Sequence, residues 1–363
     1  MVTLAHAAAV AAQPVPDDPF KLPEIPLWNH TGSVRGGFGF KDNVTLSSLS
    51  VQESAFLLTG AEFTLWRMPV NGLEFLVLLS GDDTRYFSGD VDKEQTGIAV
   101  AQLKKTFNDR WQAGLLGQYI YQDQVLDSST VEQGVGSTRV QGHSYGVRPS
   151  VRHDWQRRWW SEVELNLNRQ EFAGALDSYW EGGCKLTLGR SYGHKSDVSF
   201  HWLSNRRDYD SREQLDVTGA AIPGEALVFT QHKFQWQWRH HFDEKRHWLS
   251  TSRFGYELNQ GNGSGYFDFH KYSFSQQVRY RAEPWEIRGQ IRFAHFDYPI
   301  QPASATDPTP RARDEMTFNL RLERALGRAF RLFTELEHER SRSNQAVEQY
   351  QVNTVSAGVI WEF

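Results

Sequence analysis

The chain has 363 residues, a formal net charge of -5 and 39% hydrophobic residues, and the mild charge gives no reason to invoke nucleic acid as a partner. Mean hydropathy is -0.58, and no run reaches the ~18 consecutive apolar residues that a membrane helix needs. The single cysteine, Cys184, excludes an internal disulfide and a multi-cysteine metal site. A length of 363 fits two ordinary domains or one large β structure. A transmembrane barrel would escape the hydropathy test, because only every second residue of its strands faces lipid. The 13 Trp, 13 Tyr and 23 Phe suit such a wall, since Trp and Tyr favour membrane interfaces.

In chain order, residues 1–12 read as a leader or the remnant of a signal peptide. They offer small-x-small cleavage sites at Ala5-x-Ala7 and Val10-x-Ala12 but lack a basic start and most of an apolar stretch. Residues 13–31, with Pro14, Pro16, Pro23 and Pro26, read as an extended lead-in. The remainder, 32–363, reads as one β domain. Runs of roughly 10–16 residues alternate with period 2, separated by breaks that are short and long in turn. The short breaks fall near Pro69-Val70-Asn71-Gly72, Asn108-Asp109-Arg110, Gln156-Arg157-Arg158, Gly193-His194-Lys195, Asp243-Glu244-Lys245-Arg246, Glu283-Pro284 and Ala325-Leu326-Gly327-Arg328. The long ones are expected at 42–53, 83–95, 123–138, 172–178, 208–226, 259–267, 297–312 and 341–349. The count predicts ~16 strands with both termini beside the short turns.

One face of many strands is apolar: Val34, Phe38 and Phe40; Leu57, Ala61, Phe63 and Leu65; Val163, Leu165 and Leu167; Val198, Phe200 and Trp202; Ile287, Ile291 and Phe293; Met316, Phe318, Leu320 and Leu322. Trp66, Trp111, Trp155, Trp159, Trp160, Tyr192, Trp248, Trp285, Phe330 and Trp361 collect beside the short turns, as an interfacial girdle would. Pro149 is expected to mark a bulge or a distorted strand end.

The alternate face is charged, and it predicts a wet interior. The candidate lining residues are Arg279, Arg288, Arg292, Arg321, Lys233, Arg239, Glu162, Glu164, Glu335 and Glu337. The same alternation sends Arg35, Arg148, Arg152, Lys185, Arg253, Lys271, Arg331, Glu62, Glu74, Asp82, Asp197, Glu257, Glu286, Glu323, Glu339 and Glu362 inward. Folding back through the Glu283-Pro284 turn sets Arg279 opposite Arg288, and the next strand brings Arg321 to a similar height. These three predict a basic ladder, with Glu286 and Glu323 near enough to offset part of it.

No phosphate-binding glycine loop, zinc spacing or HExxH motif is present, so the reading calls for no cofactor and no metal. His232, His240, His241 and His247 flank a short turn on alternating faces and read as interfacial. An outward Ser-His pair, Ser250 with His240, is the one enzymatic alternative, an outer-membrane phospholipase, and it lacks a third member to orient the histidine.

The chain ends on Val355, Ala357, Val359, Trp361 and Phe363, alternate apolar positions closing on an aromatic residue. This ending resembles the closing strand of bacterial outer-membrane β-barrels, in which the terminal Phe363 and the preceding Trp361 would be the assembly signal. The Gly36-Gly37-Phe38-Gly39-Phe40-Lys41-Asp42-Asn43-Val44 stretch resembles the first hairpin of porin-like barrels. The resemblance covers about 32–363 and does not single out one family.

It implies a closed antiparallel transmembrane barrel in the outer membrane of a Gram-negative bacterium, with short periplasmic turns and longer extracellular loops. Outer-membrane lipids and lipopolysaccharide would surround it, and the barrel-assembly machinery would insert it. A non-enzymatic channel for small hydrophilic solutes is the expected function. The alternative is the conduit of a polysaccharide or protein export system with periplasmic partners. In porins the third external loop folds inward, and the resemblance would make Asp123, Asp127 and Glu132 a constriction facing the arginines.

Overall fold

The computed structural model describes residues 26–127, 137–174, 176–193, 195–304 and 306–363, and of Arg157 the backbone alone. The strands are β1 (Trp28–Lys41), β2 (Ser54–Val70), β3 (Leu73–Tyr86), β4 (Lys93–Thr106), β5 (Trp111–Asp127), β6 (Ser137–Asp154), β7 (Trp159–Ala173) and β8 (Tyr179–Tyr192). They continue as β9 (Ser196–Leu215), β10 (Ala221–His241), β11 (Trp248–Gly261), β12 (Phe269–Ala282), β13 (Trp285–Pro302), β14 (Pro310–Ala325), β15 (Phe330–Ser343) and β16 (Tyr350–Glu362). Each pairs antiparallel with its sequence neighbours, and β1 pairs with β16, so the sixteen strands form one closed barrel without a free edge.

The expected leader 1–12 and most of the lead-in lie outside the described residues. The lead-in was expected to run to residue 31, but β1 already starts at Trp28.

The short turns lie where the sequence places them, and their local chemistry is direct. Asn71 and Gly72 form a two-residue connection with φ of 51° and 74°, the left-handed pair that matches the twist of a hairpin. The long connections are shorter than the alternation suggests. Loop 208–226 shrinks to 216–220, because β9 and β10 stay paired through Ala221↔Leu215. Pro149 makes no bulge: the β6–β7 register is the same at Val147↔Leu167 and Ser150↔Glu164, with bonded pairs missing only between them.

Closure depends on glycine at the seam. Gly37 of β1 sits opposite Gly358 of β16, and a Cβ on either would collide with the opposing backbone or the Phe333 ring. Phe333, 2% exposed, thus covers backbone that glycine leaves bare. The last residue finishes the wall: Phe363 N–H donates to the Gly32 carbonyl at 2.9 Å, and Gly32 N–H donates to the Phe363 carbonyl at 3.0 Å.

The outer surface carries the apolar residues. Phe38, Phe63, Leu165, Leu167, Phe254, Phe293, Leu322 and Val359 are all exposed and share the face opposite the charged positions. Of the expected girdle, Trp111, Trp159, Trp248, Trp285, Phe330 and Trp361 stand exposed on that face. Two members do not. Trp66 turns inward and its indole donates to Glu74 at 3.1 Å, while Trp160 turns inward beneath Arg152, 4.3 Å from its guanidinium. Both tryptophans have inward polar partners one strand away, which position beside a turn does not reveal.

Candidate functional site in the barrel lumen

A closed barrel with period-2 strands has one continuous inner face, and here that face collects the charges. The structure places all ten candidate lining residues on it. A cavity of about 500 Å³ is lined by Arg35, Asp82, Arg288, Arg321, Arg331 and Glu335, among others. A second, of about 490 Å³, is lined by Arg148, Glu164, Lys185, Arg207, Lys233 and Glu257 with amide side chains between them.

The arginine ladder is in register. Arg279 lies directly opposite Arg288, and Arg288 directly opposite Arg321. Like charges so placed repel, and carboxylates offset them, Glu286 and Glu323 from the next row down and Glu335 from the same row, directly opposite Arg321. Glu286 and Glu323 are themselves opposite one another. Arg288 Nη2 lies 2.6 Å from Glu286, Arg321 Nε 2.7 Å from Glu323, and Arg321 Nη1 2.8 Å from Glu335. Arg331 spans the acids, at 2.9 Å from Glu362 and 3.7 Å from Glu323. Arg279 differs from its two neighbours: among the described residues it makes neither an ion pair nor a hydrogen bond.

The remaining candidates form separate groups. Lys233 lies 3.9 Å from Glu257 and Arg239 2.7 Å from Asp197. Glu164 is the cross-strand neighbour of Lys185, and Glu162 that of Arg152. Arg292 donates to Gln290 at 3.0 Å. Glu337 lies between Asn319 and Thr354 in the inward row.

The expected third-loop constriction is corrected for two of its acids. Asp123 and Asp127 belong to β5, not to a loop. Asp123 shares the face of β5 that carries the exposed Leu115 and Tyr119, the outward one. It is bonded by Arg139 at 2.8 Å and approached by Lys93 at 3.9 Å, so it does not oppose the ladder across the lumen. Glu132 lies outside the described residues.

Other loops narrow the mouth. Val44 and Leu46 of the first loop are buried against Tyr350 and Val352, on the lumen side of β16. Across the opening, Tyr266 and Phe267 of the β11–β12 loop pack on Tyr209, Leu227 and Phe229. At the same loop end, Arg311, whose side chain is fully buried, holds Glu348 at 2.6 Å, donates to Gln301 at 2.8 Å and lies over the Tyr298 ring at 4.1 Å. Burial pushes the Glu348 carboxyl above the usual carboxylate range, against the opposing pull of Arg311.

Sequence reasoning missed Arg207 and Glu181, which pair at 2.8 Å in the second cavity. Arg207 continues the inward alternation of His201, Leu203 and Asn205, and that signal was present in the sequence.

The Ser-His pair of the enzymatic alternative does meet in register, with His240 directly opposite Ser250. Their side chains are engaged elsewhere: His240 Nδ1 with the Tyr192 hydroxyl at 3.1 Å, and Ser250 Oγ with the Gln276 amide at 2.7 Å. Among the described residues no group of three or more His, Cys, Asp or Glu is arranged to hold a metal ion.

No protein-family model matches the chain, and no curated protein matches it by sequence. Solved structures of similar outline include Pseudomonas aeruginosa OccK9 (OpdG), at 9% identity over 92% of this chain and 98% of that one, with a TM-score of 0.48. Acinetobacter baumannii OccAB1 is 9% identical over 93% of this chain and 97% of that one, with a TM-score of 0.47. A loop-deletion mutant of OmpT, an outer membrane protein of Vibrio cholerae, is 10% identical over 93% and 99%, with a TM-score of 0.44. With TM-scores this low, fold and site rest on the chain's own strand pairing and lumen.

Proposed function

We propose that the chain is a non-enzymatic channel of a Gram-negative outer membrane, passing small hydrophilic solutes through its lumen. The observation that carries this reading is the division of the wall, apolar and exposed outside, charged and cavity-lining inside, around a closed ring of sixteen strands. A barrel of this strand number is wide enough for an aqueous passage, and an apolar outside with a polar inside is the arrangement that lipid demands. The short turns would then face the periplasm and the inward-packed loops the cell exterior.

Within the lumen Arg279, Arg288 and Arg321 lie in one register row and Glu286 and Glu323 in the row beneath, with Glu335 ending the arginine row and Arg281 the acid row, so unlike charges stand close together on one side of the wall. Such a field orients dipolar solutes and is screened by salt. Swelling of liposomes containing the purified barrel, when small sugars are added outside, tests the reading. Swelling that falls with sugar size supports a passage. Folded barrel in the liposomes with no swelling for any sugar would overturn it.

A further inference from the structure

The outward face of β11–β15 carries a groove of about 620 Å³ that the channel reading does not use. Its apolar members are Phe254, Phe274, Phe293 and Met316, and two arginines, Arg340 and Arg342, stand at its upper end. These residues follow one register line, Arg340↔Met316↔Phe293↔Phe274↔Phe254, through four consecutive strand pairs. Four inter-strand steps of ~4.8 Å make the groove about 19 Å long, running obliquely from the loop end of the wall down into the apolar belt.

Arg340 and Arg342 share the outward face of β15, one residue apart, just below the loop that starts at residue 344. Among the described residues neither makes an ion pair or a hydrogen bond. Asp314, opposite Arg342, and His295 also line the groove; His295 lies between two acids, with Nδ1 2.7 Å from Asp314 and Nε2 2.9 Å from Asp297, so one carboxylate stands beside the two arginines with a histidine partner of its own. Two free guanidinium groups above an apolar trough, on a surface that faces lipid, complement a molecule that is anionic at its head and hydrocarbon below. Guanidinium groups bind phosphate oxygens by charge-assisted, bidentate hydrogen bonds.

We infer that this groove is a binding site for a phosphorylated, acylated lipid of the outer leaflet, a lipopolysaccharide whose lipid A phosphate meets Arg340 and Arg342 and whose acyl chain lies along Phe293, Phe274 and Phe254. The inference rests on the proposed orientation in the outer membrane. It is separable from the channel function, because both arginines face away from the lumen.

The test is native mass spectrometry of the folded full-length barrel in neutral detergent, with added diphosphoryl lipid A. The wild type should retain one lipid A. The Arg340→Ser/Arg342→Ser variant should weaken binding by roughly 10- to 30-fold, the value of two surface arginines near an anionic lipid. Dephosphorylated lipid A should bind the wild type as weakly, and millimolar inorganic phosphate should not displace the lipid, since it lacks the chain. Heat-modifiable gel migration and unchanged single-channel conductance would show that the variant is folded and its lumen intact. Equal retention by the variant, equal binding of the dephosphorylated lipid, or displacement by phosphate alone would each overturn the inference.

Discussion

At the scale of single residues, charge pairing decides which side chains carry function and which hold the wall. Arg288 and Arg321 are tied to carboxylates 2.6–2.8 Å away, whereas Arg279 has no partner among the described residues. Replacing Arg279 with Ser therefore removes a lumen charge without orphaning an acid, and reversal potentials in a salt gradient should shift toward cations. Arg288→Ser and Arg321→Ser should shift the same way, with a loss of folded yield that Arg279→Ser does not show. An unshifted reversal potential in all three variants, with channels still open, would reduce the ladder to wall structure. Arg311 is the converse case. Removing it leaves Glu348 buried and unpaired, which costs about 3–5 kcal/mol when one partner of a buried pair is lost. Arg311→Ala should lower the unfolding free energy by that amount, measured by urea titration in detergent. An unchanged midpoint would show that the pair is solvated.

At the scale of elements, the alternation that sets every strand's facing was legible in the sequence wherever lipid and water lie on opposite sides. Val163, Leu165 and Leu167 against Glu162, Glu164 and Asn166 leave no second choice of face. The signal fades where a strand rises beyond the belt, because both faces then meet water. That is why Asp208 to Leu215 and Ala221 to Ala226 read as loop although most of them belong to a paired hairpin. It is also why Asp123 was assigned to a loop, when its position on β5 is fixed by Arg139, a residue distant in sequence. The inward packing of Val44, Leu46, Tyr266 and Phe267 had no local signature either, since a loop's choice of lumen or solvent depends on partners across the barrel.

The closing element carries a prediction of its own. Phe363 shares two backbone hydrogen bonds with Gly32, and its ring lies tilted against Trp361, with centroids 5.1 Å apart. Deleting Phe363 should reduce the yield of assembled barrel sharply while leaving conductance per channel unchanged. A normal yield would show that closure does not depend on the last residue. The β10–β11 turn should be sensitive to acid. Backbone N–H groups of Trp248 and His247 bond the Asp243 carboxylate and hold its pKa below the usual range. A depressed folded pKa gives stability that is present above the ordinary carboxylate value and lost as pH falls through the depressed one. The protection of the two amides against hydrogen exchange, taken relative to the intrinsic rate at each pH, should fall on that descent, and an Asp243→Asn variant should show no such pH step. The same step in both proteins would assign it to another group.

At the scale of the whole molecule, sixteen strands, an apolar belt and a charged inner face make sense together only around water. The two lumen cavities, of about 500 and 490 Å³, lie behind a mouth that the first loop and the β11–β12 loop narrow from opposite sides. Solute size should therefore be limited near the mouth, and charge preference set deeper, at the ladder. Single-channel recording of the purified barrel in a planar bilayer tests this most directly. The account predicts discrete conductance steps that scale with bulk salt, and an ion preference that weakens as salt screens the arginine and glutamate rows. Stable insertion of folded protein with no conductance at any salt concentration would contradict it.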